Sequence, residues 1–165
     1  MLYELCSAEA AGWMNALGLC FAFLGTILAT KLLASKLPQD GGRQFAVNGS
    51  LSKGKPRGAG IIFVLVFLVA SILFIPVDTE MAIYLICLLA AMLTGFFDDA
   101  AKNPWSELKK GLLDLVIAIV VAVNFLMHKP NVFYMPFTDT AVHIPVILYG
   151  ILIVILVLVC INVTN

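Results

Sequence analysis

The chain has 165 residues, 62 % of them hydrophobic and only 12 % charged, and its ten basic residues balance its ten acidic ones. A soluble domain carries about a quarter charged residues, so this composition excludes one and places the chain in a bilayer. No nucleic-acid partner is expected.

Met1 to Ala11 contains Glu4 and Glu9 and no basic residue, so it lacks the positive start of a secretory leader. The first apolar span, residues 12–34, is therefore read as a retained transmembrane helix. Further apolar spans follow at residues 59–75, 81–97, 112–127 and 144–161. Each is close to the ~17–25 residues that cross hydrocarbon as a helix, the fourth lying at the short end. The expected fold class is an all-α integral membrane protein, with residues 1–165 forming one polytopic domain. Cys20, Cys87 and Cys160 fall inside apolar spans, and with Cys6 they show no metal-ligand spacing, so they are read as structural.

Between the first two spans lies a loop, residues 38–60, rich in glycine and basic residues. Its segment Ser52-Lys53-Gly54-Lys55-Pro56-Arg57-Gly58-Ala59-Gly60 sets cations among glycines, whose backbone N–H groups can approach phosphate oxygens closely. An ordinary positive-inside anchor touching lipid phosphates is the alternative reading. Pro76-Val77-Asp78-Thr79-Glu80 then makes a tight acidic turn into the third span.

That span ends on Gly95-Phe96-Phe97-Asp98-Asp99. A charge near the centre of a bilayer helix costs about 2.5–3.5 kcal/mol, so a carboxylate pair at a helix mouth is the first candidate for chemistry. Two such carboxylates can bind Mg²⁺, or one can bind metal while its neighbour accepts a proton or positions a phosphate. On a helix they point about 100° apart and need not share one ligand. A simple helix-closing pair between Asp98 and Lys102, at i, i+4, is the competing reading.

Lys110 and Asp114 share that spacing where the fourth span begins. A structural salt bridge is one reading; the other makes Lys110 a phosphate clamp oriented by Asp114. Past the fourth span, the alternating Val132, Phe133, Tyr134 and Met135 suggest a small hairpin on the outer membrane surface. The fifth span ends in Asn162-Val163-Thr164-Asn165, with Asn162 and Asn165 on roughly one helical face, as binding groups or as helix caps.

Of the ten basic residues, all but Lys129 lie around the first and third connections. The positive-inside rule puts those connections and the C-terminal end in the cytoplasm and the N-terminus outside. The loop at 38–60, the acidic pair, the Lys102 to Lys110 segment and the terminal asparagines then share one side, as an enzyme joining a soluble phosphorylated substrate to a lipid requires.

These motifs resemble the polyprenyl-phosphate N-acetylhexosamine-1-phosphate transferase superfamily, most closely its MraY-type members, the phospho-N-acetylmuramoyl-pentapeptide transferases. Gly95-Phe96-Phe97-Asp98-Asp99 with Lys102 matches a Gly-Phe-x-Asp-Asp-x-x-Lys signature. Gly54-Lys55-Pro56-Arg57-Gly58-Ala59-Gly60 stands where the family has a Gly-Thr-Pro-Thr-Met-Gly-Gly-like stretch preceded by a lysine, and Lys53 lies one place nearer the glycine than that lysine. Lys55 and Arg57 replace both threonines of that stretch. Lys110 falls on the lysine of a Lys-x-x-x-Gln motif, with Asp114 in place of the glutamine. Asn162-Val163-Thr164-Asn165 resembles the start of Asn-x-x-Asn-x-x-Asp-Gly.

The resemblance implies ten helices in all, of which this chain is the N-terminal half. The further aspartate implicated in Mg²⁺ binding and a histidine-bearing loop would lie beyond Asn165. It implies transfer of phospho-N-acetylmuramoyl-pentapeptide from UDP to undecaprenyl phosphate in the bacterial plasma membrane, forming lipid I and UMP on the cytoplasmic leaflet. Mg²⁺ is the expected cofactor and a homodimer the expected assembly. Asp98 and Asp99 would be catalytic, one of them a possible metal ligand, and Lys53, Lys110, Asn162 and Asn165 would bind substrate. The alternatives are a GlcNAc-1-phosphate transferase for another surface glycan and a non-catalytic membrane scaffold.

Overall fold

The computed structural model describes residues 11–40, 53–101, 103, 105–135 and 140–164. It is an all-α membrane protein whose helices coincide with the apolar segments of the sequence: α1 (Ala11–Leu33), α2 (Gly60–Phe74), α3 (Thr79–Ala100), α4 (Glu107–His128) and α5 (Val146–Thr164). A two-stranded sheet, β1 (Val132–Tyr134) with β2 (Ala141–His143), joins α4 to α5. Wide apolar faces stay open, among them Leu19, Phe23 and Leu28 on α1 and Ile147, Ile151 and Leu156 on α5. Water would disfavour such faces, whereas lipid tails match them.

The helix lengths correct one expectation. The fourth span is not short: α4 runs for 22 residues, because Ser106 caps it by accepting from the Lys109 N–H at 3.4 Å and Glu107 favours the first turn. Charge ends an apolar run but not a helix, so Glu107 to Lys110 add a turn that hydropathy misses. The short helix is α2. Its 15 residues rise about 22 Å, less than the ~30 Å hydrocarbon core. It stops where Ile75, preceding Pro76, takes an extended backbone. Among the described residues, four other helical segments are long and apolar enough to cross a membrane.

Packing divides the chain into two compact units, Met1–Asp78 with Met92–Trp105 and Thr79–Ala91 with Ser106–Asn165. In the first, α1 packs on α2, with Phe21 and Phe74 rings 5.5 Å apart. Gly18 is needed at this crossing, since a Cβ there would lie 2.9 Å from the Phe74 Cβ. Small residues at such crossings let apolar helices approach closely where water supplies no drive.

In the second unit α4 packs on α5, with Phe125 edge-on to Tyr149 at 5.9 Å. The expected hairpin is present, with Val132 opposite His143, Phe133 opposite Val142 and Tyr134 opposite Ala141. The Asn131 amide donates to the Ile144 carbonyl at 2.6 Å and closes its open end. Lys129, the exception to the charge bias, is neutralised by Glu80 at 2.9 Å. The Tyr84 hydroxyl donates to the same carboxylate at 3.3 Å, and the Asn124 amide donates to the Glu80 carbonyl at 3.0 Å.

The Glu80 side chain is only 14 % exposed, so this pair is better shielded than a surface bridge. Glu80→Ala is expected to cost about 1–3 kcal/mol, read as a lower melting temperature in detergent. A double variant with Lys129→Met should lose less than the sum of the single losses.

Candidate functional site

In the first unit, residues 53–60 of the basic loop are tied to residues 38–40 by backbone contacts. Gln39 and Pro56 form an antiparallel bridge. The Asp40 N–H donates to the Lys55 carbonyl at 2.9 Å, the Gly54 N–H to the Asp40 carbonyl at 2.9 Å, and the Arg57 N–H to the Pro38 carbonyl at 2.7 Å. Two glycines take the left-handed backbone that this path needs, Gly54 at φ +80° and Gly58 at φ +68°. Lys53 and Lys55 are left exposed on the turn.

Gly58 is constrained twice over. A Cβ at this position would lie 2.9 Å from Phe96 Cδ2 and 4.0 Å from Asp99 Oδ2. The loop thus sits flush against the last turns of α3 because residue 58 has no side chain.

The acidic pair occupies an unfavourable place. Carboxylates in the last turn of a helix face its negative end, and α3 carries no basic residue there. Each carboxylate is answered from outside the helix, and by a different group. Asp98 Oδ1 accepts from the Trp105 backbone N–H at 2.8 Å, which fastens the segment after α3 to the helix. Asp99 Oδ1 lies 2.8 Å from Arg57 Nη2. The Arg57 and Asp99 side chains are 44 % and 35 % exposed, so this ion pair contributes at most about 1 kcal/mol to stability. Lys102, the other expected partner of Asp98, lies outside the described residues.

No cluster of three or more His, Cys, Asp or Glu side chains able to hold a metal occurs among the described residues. Mg²⁺ does not require one, since it is commonly bound by one or two carboxylates together with water and substrate phosphate. The hard oxygens of Asp98 and Asp99 fit that partial donor set.

The remaining candidates belong to the second unit. Lys110 is half-buried and lies 3.4 Å from Glu107 Oε1. Asp114, expected to orient Lys110, instead joins the buried stripe of α4 with Ile117, Ala118, Ala122 and Asn124. The physical reason is direction: Glu107 lies toward the polar end of α4, and Asp114 one turn deeper among apolar neighbours. Asn162 lies within the last turn of α5 and donates to its own helix at the Leu158 carbonyl, 2.8 Å away, leaving the residue exposed. Asn165 lies outside the described residues.

Sequence reasoning passed over Arg57 as a partner of the acidic pair, and over Gly58 and Phe96 as the contact that seats the loop. The signal for Arg57 was the cation standing where the resembled family has a threonine.

Residues 81–165 match the family model described as glycosyl transferase family 4. Over 132 residues the chain is 36 % identical to the phospho-N-acetylmuramoyl-pentapeptide-transferase of the Nichols strain of Treponema pallidum, and equally to the protein of that name from a second strain, of Treponema pallidum subsp. pallidum. The aligned region covers 78 % of this chain and 36 % of each relative, so the chain spans little more than a third of their length. No solved structure matches it.

Proposed function

Since the chain belongs to glycosyl transferase family 4, we propose that it is part of a phosphoglycosyl transferase that moves phospho-N-acetylmuramoyl-pentapeptide from UDP to undecaprenyl phosphate. The observation that carries the reading is the Asp99 carboxylate held 2.8 Å from the guanidinium of a glycine-turned basic loop, beside a second carboxylate. The name borne by the Treponema relatives supports the choice of donor and acceptor.

The reaction joins two anions. An oxygen of the lipid phosphate attacks the sugar-bearing phosphorus of the donor, the bond from that phosphorus to the bridging oxygen breaks, and UMP leaves with the bridging oxygen. The product is a lipid diphosphate sugar, lipid I. Neutralising charge is the main task in such a transfer. Lys53 and Lys110 would contact phosphate oxygens, Asn165 would help hold the nucleotide side of the donor, and Asn162 would also bind substrate. Of the acidic pair, one carboxylate would take the proton from the lipid phosphate or orient it. The other would help hold Mg²⁺, which when bound supplies charge neutralisation at the donor diphosphate.

The site would face the cytoplasm from a bacterial plasma membrane, with the N-terminus outside and the working unit a homodimer. The test is UMP release by the purified full-length protein in detergent with Mg²⁺ and undecaprenyl phosphate, with UDP-MurNAc-pentapeptide and UDP-GlcNAc supplied separately. Release from the muramoyl donor alone supports the reading. Release from UDP-GlcNAc alone moves the protein to another surface glycan.

A further inference from the structure

We propose that Arg57 recognises a phosphate monoester or diphosphate of the substrate, with Asp99 holding one corner of its guanidinium and the rest of the fork facing the ligand. The inference rests on the phosphoglycosyl transfer reading and assigns a residue to it.

A guanidinium has five N–H donors in a rigid plane, and among the described residues its one side-chain partner is Asp99, through Nη2. The side chain stays 44 % exposed while making that bond, so further donors remain open to a ligand. Its base is fixed: the Arg57 N–H is tied to the Pro38 carbonyl, and the preceding Pro56 restricts the backbone. Gly58 beside it adds no side chain of its own near Asp99 Oδ2, which lies 4.0 Å from the place its Cβ would take. Lys53 and Lys55, exposed on the same turn, add positive potential.

Phosphate is the ligand chemistry that fits. Its oxygens accept paired N–H bonds from a planar fork, and its charge exceeds what one half-exposed carboxylate already neutralises. A phosphate brought beside Asp99 also needs a cation between two anions, and Arg57 stands at that place. The competing explanation is that Arg57 only offsets a carboxylate at the wrong end of a helix. That role would affect folding and the orientation of Asp99, and would leave phosphate affinity unchanged.

Two sources share this chemistry, the lipid phosphate and the nucleotide donor, and calorimetric titration of the purified full-length protein in detergent separates them. Undecaprenyl phosphate and UMP are titrated in separate arms into the wild type, Arg57→Gln and Arg57→Lys. Arg57→Gln is expected to weaken one arm by about tenfold or more, with Arg57→Lys intermediate because it keeps the charge and loses the fork. The weakened arm identifies the source. Unchanged affinity in both arms for folded Arg57→Gln overturns the inference and leaves the transferase reading intact. If Arg57→Gln does not fold, Arg57→Lys decides by the same criterion. A wild type that binds neither ligand overturns the inference and the transferase reading together.

Discussion

Asp99→Asn is expected to lower turnover by about a hundredfold or more while the protein stays folded. The substitution preserves shape and keeps an oxygen that can accept from Arg57 at the position now 2.8 Å away. What it removes is the charge that would hold metal or take up a proton. Because the Arg57 pair is more than a third exposed on both sides, little stability goes with it, and the melting temperature should move by only a few degrees. The parallel Asp98→Asn variant keeps an acceptor for the Trp105 N–H, so it too should fold and lose activity. Near-normal UMP release from both folded variants would remove the acidic pair from the mechanism.

Gly58→Val is expected to have the largest structural effect. A β-branched residue at φ +68° carries backbone strain, and its Cβ would press on Phe96 at 2.9 Å. Together these should cost about 2–4 kcal/mol and unseat the loop that carries Arg57. Gly54→Ala is the matched control. It has the same backbone demand at φ +80° but nothing within 4 Å of its Cβ, so it should lose only about 1–2 kcal/mol. Thermal unfolding in detergent separates the two cases. Pairing Gly58→Ala with Phe96→Ala should recover activity relative to Gly58→Ala alone, since the collision is relieved and only the backbone cost remains.

The membrane helices were legible because each is an apolar run with charged or proline-bearing ends. Those ends were less so, since a helix continues as long as its hydrogen bonds and caps allow. Ser106 and Glu107 carried α4 past the place where hydropathy falls. The hairpin was visible in the alternation of Val132 to Met135, because a period of two is itself the strand signal.

The acidic pair stood out through the cost of charges at a helix mouth. Its partners did not. Arg57 and Asp99 are 42 positions apart, and their meeting depends on loop hydrogen bonds and two left-handed glycines that no spacing rule reveals. The expected Lys110–Asp114 contact failed for a related reason. Spacing of i, i+4 permits a pair, but Glu107 at i−3 offered Lys110 a carboxylate closer to water.

On the proposed reading, this chain carries part of the centre that joins a nucleotide sugar phosphate to a lipid phosphate. Mass spectrometry of the lipid product alongside UMP tests this, using purified full-length protein with Mg²⁺, undecaprenyl phosphate and UDP-MurNAc-pentapeptide. Undecaprenyl-diphospho-MurNAc-pentapeptide and UMP are expected in equal amounts, with both lost in Asp99→Asn. Absence of the lipid product from folded wild-type protein, or its undiminished formation by Asp99→Asn, would contradict it.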